Sequence, residues 1–75
     1  MGRLRPQPFR EVKRRLEAFG FAEASQKGSH VKFVRRLGEI VDTAIVPKKH
    51  EISVGTIRSI LKQAHIDPGE WDKLD

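Results

Sequence analysis

The sequence predicts a small α+β fold of α-β-β-β-α order, a three-stranded antiparallel sheet with its helices on one face. Three observations carry this reading. Apolar residues recur at helical spacing toward both ends of the chain, they alternate with polar residues in the middle, and glycines punctuate the alternating runs. At 75 residues, with no cysteine, the chain has room for one modest core, and neither disulfides nor a thiolate zinc site hold it together. Residues 1–75 are therefore read as a single domain.

Met1 to Gln7 bears prolines and arginines without apolar periodicity and is expected to be a flexible basic arm. The first helix is predicted over about Pro8 to Phe19. Pro8 suits a helix start, Phe9, Val12, Leu16 and Phe19 make one apolar stripe, and Gly20 can end the helix in a left-handed conformation. Its outer face, with Arg10, Lys13, Arg14 and Glu17, reads as a solvated stripe. A short extended segment, Phe21 to Ser25, closes in a turn at Gln26-Lys27-Gly28, and two stronger strands follow at about Ser29 to Arg36 and Glu39 to Val46. If the second hairpin is centred near Gly38, Val31 faces Ile45, Phe33 faces Thr43 and Arg35 faces Val41 on the helix-covered side. His30, Lys32 and Val34 then lie opposite Val46, Ala44 and Asp42. Ser53 is the expected N-cap of a second helix carrying Ile57, Ile60, Leu61 and Ala64 on its apolar face and ending near Ile66. Asp67-Pro68-Gly69-Glu70 has the pattern of a capping box opening a short terminal helix, which folds Trp71 and Leu74 back on the core.

The net charge is +5, and the acids are unevenly spread. Residues 1–66 hold 14 Lys and Arg against 6 Asp and Glu, a local excess of +8. Such a potential draws polyanions by steering and counterion release. No stretch has the apolar length of a membrane span or signal peptide, so a soluble, cytoplasmic protein without membrane contact is expected.

Strand alternation turns His30 and Lys32 away from the core that Val31 and Phe33 fill. Histidine is the side chain best suited to move protons near neutral pH. RNA brings its own nucleophile, the 2′-hydroxyl, so cleaving it needs a proton carrier, cations and orientation. His30 is the candidate proton carrier, and Lys27, Lys32, Lys48 and Lys49 are candidates to hold the phosphate and stabilise its added charge. Gly28 gives turn geometry and lets a nucleic-acid backbone approach, with Ser29 beside it. In the register above, the loop Pro47 to Glu51 comes close to His30, which makes His50 a candidate second proton carrier, although a plain loop histidine accounts for it as simply. His65 reads as a cation placed for the helix dipole. The three histidines lack metal-ligand spacing, so no metal and no cofactor is expected. The outward face is also expected to show Ile40, Ala44 and Val46, an apolar component that a protein partner could cover.

The segments Gly20-Phe21, Gln26-Lys27-Gly28-Ser29-His30, Val46-Pro47 to His50, and Gly55-Thr56-Ile57-Arg58-Ser59-Ile60-Leu61-Lys62-Gln63-Ala64 closely resemble, in order and spacing, the HicA (YcfA-like) toxins of HicA-HicB toxin-antitoxin modules. The resemblance implies a double-stranded-RNA-binding-like fold, metal-independent endoribonuclease activity on mRNA that stops translation, and neutralisation by a HicB-like antitoxin. The family's catalytic histidine falls on His30. His65 stands where the family usually has a glycine after the alanine. The alternative function is a non-catalytic RNA-binding module of the same fold, using the same basic sheet to hold RNA by shape and phosphate contacts.

Overall fold

The computed structural model describes residues 4–74, so Arg3 of the expected arm lies outside the described residues. The elements run α1 (Phe9–Ala18), β1 (Ala22–Lys27), β2 (His30–Leu37), β3 (Ile40–Pro47), α2 (Val54–Ala64) and α3 (Pro68–Lys73). The strands form one antiparallel sheet of order β1-β2-β3. The α-β-β-β-α order expected from the sequence is the order observed, with α3 as the small terminal helix.

Alternation decides which side of the sheet is dry. Val31 and Phe33 of β2 and Ala44 and Val46 of β3 are fully buried with Val12 and Leu16 of α1, Ile57, Ile60 and Leu61 of α2, and Trp71 of α3. All the helices thus share one core on one face. A side chain the size of Phe33 gains about 1.5–3 kcal/mol from full burial. The ring of Phe19 stacks on Trp71 at 6.2 Å, which closes the core between α1 and α3.

The register differs by one residue from the expected one. Val31 pairs with Val46, Phe33 with Ala44, Arg35 with Asp42, and His30 with Pro47. The expected partners of Val31 and Phe33, Ile45 and Thr43, lie instead opposite Lys32 and Val34. The cause is the turn: Leu37 pairs with Ile40, leaving Gly38-Glu39 as a two-residue loop with Gly38 at φ +62°. A glycine in the first loop position at positive φ matches the right-handed strand twist. Because side-chain sidedness has period two, this single step sends Ala44 and Val46 into the core and turns Val41, Thr43 and Ile45 outward. Ile40 falls on the helix side, at the exposed hairpin end. The outward apolar component therefore belongs to Val41 and Ile45, not to Ile40, Ala44 and Val46.

The arm is also more ordered than its composition implies. Gln7 and Ile52 form an antiparallel bridge, with Gln7 N–H donating to Ile52 O at 3.1 Å and Ile52 N–H to Gln7 O at 2.6 Å. The Gln7 side chain is buried and accepts from Trp71 Nε1 at 3.3 Å, and Leu4 packs on the core. Within the expected flexible arm, Leu4 and Gln7 are thus docked on the core, while Arg5 and Pro6 are exposed.

Helix ends follow the expected chemistry with one variation. Ser53 Oγ accepts from Thr56 N–H at 3.3 Å and caps α2, and Asp67 accepts from Gly69 and Glu70 N–H at 3.0 and 3.3 Å and caps α3. Such caps are each worth about 1 kcal/mol. Glu70 faces Lys73 instead of returning to the cap. Helix α2 ends at Ala64 because His65 adopts the left-handed conformation, φ +57°, that usually favours glycine.

Candidate active site

His30 opens β2 directly after the first hairpin turn. Lys27 pairs with His30 across a two-residue loop, Gly28-Ser29, with Gly28 at φ +61° and open space where a Cβ would stand. The turn is thus one residue later than expected, and β1 extends through Lys27. His30 and Lys32 are exposed on the helix-free face, as alternation requires. With Ser25, Lys27 and Ile45 they line a shallow depression of about 640 Å³. Among the described residues, no hydrogen bond or ion pair engages the side chains of Lys27, His30 or Lys32.

Two local features shape this surface. A bulge between Glu23 and Ser25 inserts Ala24, so Ser25 stays opposite Lys32 while Glu23 comes opposite Phe33, on the helix side. There Lys13 of α1 holds the Glu23 carboxylate at 3.1 Å. The bulge thus brings Glu23 to Lys13, while Glu23 also borders, with Ala22, Val34 and Arg36, a depression farther along the strands from His30. The lining of the His30 depression thus holds Lys27, His30 and Lys32 and no Asp or Glu. On the opposite edge, Ile45 N–H donates to Gln63 Oε1 of α2 at 3.0 Å. This satisfies an edge donor and fixes the strand that carries Ile45, 39% exposed, at the rim of the depression.

The other expected site residues divide between two places. Lys48 N–H donates to Ser29 O at 2.7 Å, so the loop after β3 is tied to the turn before His30. The side chains of Lys48, Lys49 and His50, however, line a separate depression with Pro8, Phe9 and Arg10 at the start of α1. His50 thus borders the depression at the start of α1, and His30 the one with Ser25, Lys27, Lys32 and Ile45. Ser25 and Ile45, which the sequence reading missed, complete the His30 depression. A Gly-X two-residue loop was the available signal at both hairpins, Gly38-Glu39 for Ile45 and Gly28-Ser29 for Ser25.

Farther along the sheet, toward the Gly38 hairpin, a second polar group is built into the fold. Arg35 reaches Asp42 at 2.8 Å, Phe19 O at 3.0 Å and Ala64 O at 3.1 Å, joining β3 to the C-terminal ends of α1 and α2. Its guanidinium lies 4.7 Å from the Phe21 ring centre, and Gly20 leaves room for its stem, a Cβ there meeting Arg35 Cδ at 3.4 Å. Asp42, buried, also bonds His65 Nδ1 at 2.8 Å. The hydrogen bond from Arg35, then that from His65, holds the Asp42 carboxyl below the usual carboxylate range. His65 thus does more than complement a helix dipole; it ends α2 and ties that end to β3.

The family model described as "HicA toxin of bacterial toxin-antitoxin" matches residues 9–66, from the first residue of α1 to just beyond α2. The chain belongs to the HicA toxin family. No curated protein and no solved structure matches the chain. Family membership makes this HicA chain the toxin side of a toxin-antitoxin pair and implies an antitoxin partner. Among its described residues no helix is long and apolar enough to cross a membrane, and no group of three or more His, Cys, Asp or Glu could hold a metal ion.

Proposed function

We propose that this HicA chain is a cytoplasmic, metal-independent endoribonuclease that binds and cleaves mRNA with His30, stopping translation, and that a HicB-like antitoxin neutralises it. The observation that carries the reading is the exposed, unengaged His30 with Lys27 and Lys32 in a depression lined by no acid. Groups held in ion pairs serve the fold; groups left free in a cleft are available to a ligand.

In this reading the RNA phosphate sits between the ammonium groups of Lys27 and Lys32. His30 takes the proton of the 2′-hydroxyl as its oxygen attacks phosphorus in line. The new P–O2′ bond forms, the two lysines stabilise the charge added to the phosphoryl oxygens, and the P–O5′ bond breaks, the leaving 5′-oxygen taking a proton from solvent in the open depression. Ser25, with its hydroxyl, and Gly28-Ser29, with their accessible backbone, flank the bound strand. The antitoxin would cover His30 and Lys32 together with Val41 and Ile45, matching cations with acids at a partly apolar contact.

Purified protein incubated with RNA in the presence of a chelator tests the enzyme reading against the binding-module reading. New ends on a gel, lost in His30→Ala protein that still binds RNA, are expected. Intact RNA bound by the unmodified protein would establish the binding module instead.

A further inference from the structure

The second depression, at the opposite side of the Lys48–Ser29 link from His30, is about 430 Å³ in volume and is lined by Pro8, Phe9, Arg10, Lys48, Lys49 and His50. Its four polar side chains are all basic and all exposed. The acid nearest to Arg10 in sequence, Glu11, is turned away: Arg14 Nε donates to it at 3.1 Å and Arg15 Nε at 2.9 Å. Those bonds, that from Arg14 foremost, lower the Glu11 carboxyl to about 2 against the opposing effect of burial. The cations of the depression are thus not neutralised by the helix that borders it.

Its framework is fixed by the backbone. Phe9 N–H donates to Lys49 O at 2.9 Å, Lys49 N–H to Pro47 O at 3.0 Å, and Lys48 N–H to Ser29 O at 2.7 Å. The loop is therefore bonded to α1 on one side and to the turn before His30 on the other. Lys48 Nζ lies 5.7 Å from the centre of the Phe9 ring, a cation–π contact that holds the ammonium over the depression. Because His30 pairs with Pro47, the first lysine of the loop, Lys48, directly follows the residue opposite His30. Lys27 and Lys32 in the one depression and Lys48, Lys49 and Arg10 in the other are thus linked through the Ser29–Lys48 bond.

We infer that this depression is a second phosphate-binding site, which takes phosphates flanking the cleaved linkage, so that the substrate is a single-stranded RNA segment bent around the Gly28 end of the sheet. The inference rests on the nuclease reading above and adds to it the length and path of the bound strand. Arg10, read from the sequence as part of a solvated helix stripe, becomes an RNA contact, and His50 a phosphate ligand. A rigid duplex does not follow such a bend, whereas an unpaired strand does, and its evenly repeated charges suit cations spread along a track.

The test uses uncleavable 2′-O-methyl oligonucleotides, a trinucleotide and one about twelve residues long, binding to the full chain. The parent is expected to prefer the longer probe. In Arg10→Gln/Lys48→Gln/Lys49→Gln the longer probe should bind at least about tenfold more weakly, its salt slope should fall by about two, and its advantage over the trinucleotide should collapse. Lys48→Arg/Lys49→Arg, which keeps the charges, should retain the preference. The replaced side chains are exposed and the loop is held through backbone atoms, and the unfolding midpoint of each variant checks that it folds. Unchanged binding of the longer probe, or an equal loss for both lengths, overturns the inference. So does a variant that binds RNA as the parent does and loses affinity only for poly-L-glutamate, since the surface would then read an acidic protein. Cleavage of the ordinary RNA is followed in parallel: a parent that shows the length dependence but cuts nothing overturns the nuclease reading and leaves the strand path standing.

Discussion

At the Gly28 end of the sheet, Lys27, His30 and Lys32 stand in solvent and engage no other side chain, whereas farther along, Arg35, Asp42 and His65 bind one another and two helix ends. Both regions contain cations and a histidine on the same strands or beside them. They differ in the face of the sheet and in what surrounds the charges. On the helix side, desolvation makes Arg35 and Asp42 dependent on each other, while His65, itself 75% exposed, adds a hydrogen bond to Asp42, and these partners hold the fold. On the open side, water satisfies the charges, so nothing in the fold consumes their capacity to hold a phosphate. Residue type alone does not separate a histidine free to meet a ligand from a structural one; its neighbours do.

The comparison breaks first, if it breaks at all, at His30. His30→Ala should lower RNA cleavage by about 10²–10⁴-fold, the range of a lost acid–base group, with the thermal midpoint unmoved. A cleavage rate near the parent's, or a large loss of stability, would erase the distinction between the two regions. Arg35→Ala should do the reverse. It removes the hydrogen bonds to Asp42, Phe19 O and Ala64 O and leaves Asp42 without its main partner, destabilising the fold by about 3 kcal/mol in urea unfolding. The residual folded fraction should still cleave RNA, measured per folded molecule.

Acid titration sharpens the contrast further. The carboxyls of Asp42 and Glu11 are both lowered in the folded chain, Asp42 chiefly by Arg35 and Glu11 chiefly by Arg14, the latter to about 2. A lowered folded pKa means the unfolded state takes up protons first. Their stabilisation is complete above the unfolded carboxylate range and is lost as pH falls toward the folded values, from about pH 5 downward. Urea midpoints should therefore drop over that interval, and the gap between the parent and Arg35→Ala should narrow there. A gap independent of pH would show that Arg35 stabilises only through the helix carbonyls. The smallest effect is at His65. His65→Ala and His65→Gly both lose the bond to Asp42, but only glycine accepts φ +57° freely, so the glycine variant should be the more stable of the two by about 1 kcal/mol.

Much of the site was legible because its causes are local. His30 facing outward follows from alternation with Val31 and Phe33, and the cation beside it, Lys32, follows from the same period. The residues that were misread depend on a count of turn residues or on distant contacts. Centring the hairpin on Gly38-Glu39, not on Gly38, moved Ala44 and Val46 into the core and brought Ile45 to the rim of the His30 depression. That His50 borders a depression with Pro8, Phe9 and Arg10 depends on how the loop after β3 meets α1, a contact between segments some forty residues apart in sequence.

The sequence by itself determined the order of the elements, the apolar faces of the helices, the caps at Ser53 and Asp67, the excess of positive charge and the outward histidine. These rest on periodicity and on side chains acting within a few residues of their own backbone. Only the tertiary structure decided the hairpin register, the docking of Gln7 against Ile52 and Trp71, the turning of Glu23 to Lys13 by the bulge, and the division of the basic residues between two depressions. Each of these is a choice among local conformations of similar energy. Packing makes the choice, because burying Ala44 and Val46 or satisfying Gln7 and Trp71 gains free energy only after distant segments have met.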